Sequence, residues 1–135
     1  MSIPRNWMRI EANNEFCFWL PPALVASDKL SHDSYVRRWE SKDVVVHFDY
    51  GRFSDPLTLY SRKNSYEAAT ERIGGYTTTI VSFQRDDGSR FTAAHFPDLG
   101  SDQFGRTVKL TLAVDTHPKV PEDVPLKIVR SITFC

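Results

Sequence analysis

Alternation is the dominant rhythm of this chain. In Asp43–Tyr50, DVVVHFDY, the residues Val44, Val46, Phe48 and Tyr50 fall on one side, and Val45, His47 and Asp49 on the other. A period of two marks a half-buried β-strand. Arg106–Val114 repeats it, with Val108, Leu110, Leu112 and Val114 set against Thr107, Lys109 and Thr111. The stretches Trp7–Ala12, Phe16–Leu20, Tyr35–Glu40, Leu57–Ser61, Tyr76–Gln84 and Arg90–Phe96 also read as strands.

Turn chemistry separates these runs. Asp86-Asp87-Gly88-Ser89 predicts an antiparallel hairpin, and Gly74-Gly75 predicts a bend before the Thr-rich strand. Gly51 and Ser54-Asp55-Pro56 stop the Val44 strand. Helical periodicity is confined to the C-terminal stretch. There Asp123 is placed to cap, Pro125 falls in the first turn, and Val124, Ile128 and Ile132 form a stripe with Val129 beside it. A shorter helix is expected over Ala23–Leu30. Ser65–Arg72, SYEAATER, suits a helix by composition and a strand by its place before the glycine pair. The predicted class is α+β. A single antiparallel sheet of about six to eight strands carries a C-terminal helix and one or two shorter helices, all in one domain spanning the chain.

Composition supports one ordinary core. The 135 residues are 41% hydrophobic and 25% charged, with nine Phe, five Tyr and three Trp. Seventeen basic residues balance seventeen acidic ones, and no basic run exceeds pairs such as Arg37-Arg38 and Arg62-Lys63. That argues against nucleic acid and against an anionic membrane surface as partners. The apolar run Phe16–Ala26 is flanked by Glu11 and Glu15 and broken by Pro21-Pro22, so it reads as a buried strand and turn, not as a leader. The chain as it stands is expected in the cytoplasm, or in the periplasm if a leader precedes it. Cys17 and Cys135 read as one buried and one terminal thiol, with a bridge between them as the alternative for an exported chain.

Candidate chemistry rests on an echo. His47-Phe-Asp-Tyr-Gly51 and His95-Phe-Pro-Asp-Leu-Gly100 each place histidine, aromatic and aspartate before glycine. If the two strand ends lie side by side, His47, Asp49, His95 and Asp98 would offer two imidazoles and two carboxylates. Such a set suits zinc, iron or manganese, or a His–Asp general base. The structural alternative is two strands leaving a sheet through aspartate and glycine turns. His32-Asp33-Ser34 has the residue types of a hydrolytic relay, but neighbours on extended chain point to opposite faces. No nucleophile elbow, phosphate loop, dinucleotide fingerprint or zinc-protease motif occurs, and no cofactor is implied. Trp7, Trp19 and Trp39 are candidates for a ligand stack, the core or the rim of a protein contact. Arg37, Trp39, Thr107 and Lys109 are candidates for a polar face that meets a partner.

The stretches FCFWLPPAL, DSYVRRWESKDVVVHFDYG, ERIGGYTTTIVSF and LKIVRSITF together resemble the PsbP-like family. That group includes the extrinsic photosystem II subunit, a nuclear-import factor that binds the GTPase Ran, and short bacterial proteins. The resemblance implies an antiparallel sheet between helices and binding to a larger protein assembly, with no enzymatic activity. It carries no site residue. The expectation is therefore a non-enzymatic protein-binding or accessory domain, for example a periplasmic accessory or a toxin's immunity partner. The alternative is a metal-dependent or His–Asp hydrolase built on the two echoing strand ends. Neither reading sets an oligomeric state.

Overall fold

The computed structural model describes residues 3–12, 14–28, 34–51 and 54–134. In chain order the elements are β1 (Met8–Ala12), β2 (Phe16–Leu20), β3 (Val25–Asp28), β4 (Ser34–Glu40), β5 (Val44–Gly51) and β6 (Asn64–Ile73). They continue with β7 (Tyr76–Gln84), β8 (Arg90–Phe96), β9 (Lys109–Thr116), α1 (Asp123–Arg130) and β10 (Thr133–Phe134). The strands form two antiparallel sheets, not the expected one: a three-stranded sheet ordered β1-β2-β10 and a seven-stranded sheet ordered β3-β4-β5-β9-β8-β7-β6. The molecule is mainly sheet, and α1 is the one α-helix among the described residues.

The alternation seen in the sequence becomes two faces of the large sheet. Val44, Val46 and Phe48 of β5 pair in register with Thr116, Val114 and Leu112 of β9, and these residues are buried. This first face is covered by the small sheet and by α1, with Phe16, Phe18, Leu20, Ile128 and Val129 fully buried between the layers. The second face is covered over a smaller area. There Val81, Phe83, Phe91, Ala93 and Ala113 form a second core under Leu57, with Tyr60 and Tyr66 packed against it.

Several expectations need correction. Instead of the helix expected over Ala23–Leu30, Val25–Asp28 is edge strand β3, paired with Glu40–Arg37; residues 29–30 lie outside the described set. Leu57–Ser61 is no strand. It belongs to the connection that crosses the second face from β5 to β6, and Leu57 turns there through a positive φ of 61°. SYEAATER is extended in β6, because pairing with β7 outweighs its helical propensity. Asp123 does not cap. Glu122 holds the N-cap position without a side-chain cap bond, and Asp123 pairs with Lys127 one turn on, at 3.0 Å. The helix stops at Arg130, so Ile132 lies past its end, still buried.

The predicted hairpin forms at Asp86–Ser89, and the predicted Gly74-Gly75 bend is a second hairpin turn, between β6 and β7. Between β7 and β8, Arg85 and Ser89 close the turn at 2.8 Å, and Asp87 Oδ1 accepts from Ser89 N at 2.9 Å. Between β6 and β7, Gly74 and Gly75 take φ of 59° and 92°, as a tight two-residue turn requires. Gly74 has a further constraint. A Cβ there would meet Phe134 Cδ2 at 2.8 Å and Ile132 O at 3.2 Å, whereas a Cβ on Gly75 would meet nothing. We expect Gly75→Ala to cost about 1 kcal/mol from backbone strain alone, and Gly74→Ala about 2–3 kcal/mol from strain plus overlap. Urea denaturation of the two variants checks this ordering.

Candidate functional site

The β5–β9–β8 registers decide the fate of the echo. Odd-numbered residues of β5 lie on the second face, so His47 stands beside Ala113 of β9 and Asp49 beside Thr111. His95 of β8 is also paired with Thr111, from the other side. The structure therefore puts Asp49, Thr111 and His95 in one row across three adjacent strands, with His47 in the next row. Asp49 and His95 flank β9 at a backbone separation of about 10 Å, two strand spacings. Asp98 is not part of this row. It lies past the end of β8, exposed, and its Oδ1 accepts from Gly100 N at 3.0 Å in its own turn. Among the described residues, no group of three or more His, Cys, Asp or Glu side chains is placed to hold a metal ion.

His95 and Thr111 form a defined local arrangement. Thr111 Oγ1 donates to Asp55 O at 2.6 Å. Its one proton is then spent, so at His95 Nδ1, 2.8 Å away, the hydroxyl must accept. This fixes the proton on Nδ1 and leaves Nε2 as the ring's basic nitrogen. His95 is only 5% exposed, and burial, with Lys109 adding to it, pushes its pKa below the ordinary 6.5. Burial likewise lowers the pKa of His47, opposed by Asp115 and Asp49 and reinforced by Arg38 and Arg85. Both imidazoles are thus held neutral near pH 7. A neutral imidazole can accept a proton or donate one ligand bond, and the side-chain atom placed at its Nδ1 is Thr111 Oγ1.

Asp55 was not singled out from the sequence, yet it organises this corner. Its Oδ1 accepts from Leu57 N at 2.8 Å, its Oδ2 from the Tyr60 hydroxyl at 2.9 Å, and its carbonyl from Thr111. The signal available was the Asp-Pro turn pair, whose side chain characteristically captures the amide two residues on. Tyr60 in turn stacks on Phe83 at 5.0 Å between ring centroids and meets Phe91 at a tilt at 5.5 Å. Arg85 lies over the same two rings and reaches Asp115 at 2.7 Å. Ser54 Oγ is buried with no hydrogen-bond partner among the described residues. The whole arrangement fastens the crossing segment to the sheet.

Other candidates separate. Trp39 is buried on the first face against Phe18 and Phe48, with Arg37 4.7 Å above its ring. Lys109 lies on the second face, opposite Gly51, so Arg37, Trp39 and Lys109 make no common surface. His117 is exposed, and its Nδ1 accepts from Lys119 N at 3.1 Å. Cys17 is buried with Arg9 Nη2 at 3.1 Å from its sulfur; Cys135, His32 and Asp33 lie outside the described residues.

Two grooves were not legible in advance. One, of about 570 Å³, opens at the β3 end of the sheet, where Trp7, Pro21, Pro22, Leu24, Val25 and Val124 line it under a rim of Glu40, Lys42 and Asp43. The other, of about 530 Å³, runs between α1 and β6, with Ala69, Ile80, Leu126 and Arg130 among its walls. No helix among the described residues is long and apolar enough to cross a membrane. Neither a family model nor a curated protein matches the chain.

The two histidines give a signed pH dependence. In the unfolded chain they titrate near 6.5, while the folded chain resists protonation. Below that value the unfolded state binds more protons, so stability falls as pH drops through 6.5 toward the native values. We expect the urea midpoint to decline from pH 7 to pH 5, and the decline to shrink in His95→Asn and His47→Asn, most of all in the double variant. Thr111→Val should cost about 1–3 kcal/mol at pH 7, because it strands His95 Nδ1–H and the Asp55 carbonyl.

Proposed function

We propose that this chain is a non-enzymatic protein-binding domain and that its partner docks at the apolar groove beside β3. The observation that carries the reading is the groove's combination of lining and openness. Trp7, Pro21, Pro22 and Leu24 present apolar surface at the mouth of the core, and Val25 at the rim is 70% exposed. Interfaces favour such a site, with an aromatic anchor, an apolar floor and a charged rim. Balanced charge favours a protein over a polyanion. The resemblance of the sequence pattern to PsbP-like proteins points the same way, toward an accessory role in a larger assembly.

A photo-crosslinking residue at Val25 tests this in extract from the native source. We expect one discrete adduct that disappears in Trp7→Ala, while the same residue at exposed Leu59 gives none. Adducts at both positions, or at neither, would overturn the docking site.

A His–Asp hydrolase is the second reading, favoured by the neutral, Nδ1-protonated His95 in one row with Asp49. Elemental analysis and hydrolysis of activated esters decide it. The protein-binding reading expects no stoichiometric transition metal and no rate that His95→Asn removes.

A further inference from the structure

β6 is the outer edge of the seven-stranded sheet and, at ten residues, its longest strand. An edge strand offers a row of N–H and C=O groups to any second strand. Monomeric proteins blunt such edges with proline, lysine, a bulge or a covering element. In β6 the bulge comes early, between Asn64 and Glu67, and from Glu67 to Ile73 the register is regular. This run contains neither proline nor lysine; its charges, Glu67, Glu71 and Arg72, sit toward its ends, and its middle residues Ala68, Ala69 and Thr70 are small and exposed. The groove between β6 and α1 leaves the first face of this edge open.

We propose that β6 pairs antiparallel with β6 of a second copy, about a twofold axis at Thr70, joining two seven-stranded sheets into one. A twofold axis normal to the sheet keeps like faces together, so each residue must oppose one of the same parity. Centring on Thr70 sets Thr70 against Thr70, Ala69 against Glu71, Ala68 against Arg72 and Glu67 against Ile73. That uses the entire regular run and brings no like charges directly opposite. Centring on Ala69 would oppose Glu67 to Glu71, and centring on Glu71 would oppose that carboxylate to itself. Centring on Ala68 runs into the bulge. One register therefore wins on charge and length together. Glu71 also enters the pairing already neutralised by Arg130 on its own helix, at 2.7 and 3.1 Å. The Thr70 pair at the axis is itself a favourable cross-strand contact.

The occupant is thus a second copy of this chain, and Ala68 reads the register. Sedimentation from micromolar to millimolar protein should show the mass rise from 15.5 kDa toward twice that value. Ala68→Lys puts a cation opposite Arg72 twice per dimer and should weaken association about fivefold, whereas Ala68→Glu should tighten it about fivefold. Both variants change the same exposed position, and thermal melts at low concentration confirm that each remains folded. A chain that stays monomeric throughout overturns the inference. So does a dimer whose constant moves alike in both variants or in neither, or one abolished by Val25→Asp in the β3 groove.

Discussion

Phe48 is packed against four other rings, and this aromatic junction holds the two layers together. Phe16 meets it edge-on at 4.9 Å and Phe18 at 6.1 Å, both from β2. Tyr35 and Trp39 of β4 approach at 5.3 and 5.9 Å. The small sheet consists of two five-residue strands and one of two residues, too little to persist alone in water. Its persistence comes from driving Phe16 and Phe18 into the large sheet, where both are fully buried. The chain end follows from the same requirement. β10 adds to β2, and Ser131, just after α1, accepts from Trp19 N at 2.9 Å, so the helix and the N-terminal hairpin are fastened together over one core. Removing the Phe48 ring would loosen both layers at once, because it meets rings of β2 and of β4 from its place on β5.

The route of the chain explains why the second face differs from the first. β5 is near the centre of the sheet and β6 is at its edge, so the connection must cross β9, β8 and β7. It does so with Leu57 and Tyr60 facing inward, and that single segment supplies most of the cover for the second core. A segment without its own ladder needs other anchors for its polar backbone, and Asp55 provides them through both carboxylate oxygens and its carbonyl. The row of Asp49, Thr111 and His95 is best understood in this light. His95 orients Thr111, Thr111 holds Asp55, and Asp55 holds the crossing. The residue types resemble a reactive cluster because buried polar groups must be satisfied, and fastening a strap needs the same chemistry as positioning a base.

Alternation and turn residues made most strands legible: Phe16–Leu20, Tyr76–Gln84 and Arg90–Phe96 end where their patterns meet a turn, although β7 and β8 bury residues on both faces. Leu57–Ser61 was misleading for a local reason. Leu57 is buried and Tyr60 half-buried, but by a connection lying flat on a sheet and not by a strand within one, and Leu59 between them is exposed. SYEAATER could not be assigned alone, since a strand at a sheet edge with both faces exposed leaves no hydrophobic period to read. The second sheet was hidden because alternation tells which residues face inward but says nothing about which strand lies beside which. The separation of the echo's two halves was hidden for the same reason. β9 lies between β5 and β8, and that order is set by long-range pairing.

The large sheet has two free edges of opposite character, and this bears on what the domain can assemble. β3 is a four-residue edge beside an apolar groove, suited to taking a side chain from another protein. β6 is long, regular in register from Glu67 to Ile73 and has small residues at its middle, suited to taking a strand. With six strand spacings between them, the two edges lie about 29 Å apart across the sheet. Pairing through β6 would therefore place the two β3 grooves at the far ends of one continuous sheet, out of each other's reach and both open. A partner carrying two docking segments would then gain by engaging both ends, since the second contact forms at the effective concentration set by the first. Self-association through β6 and partner binding beside β3 would use different surfaces, so each would strengthen the other for a multivalent partner.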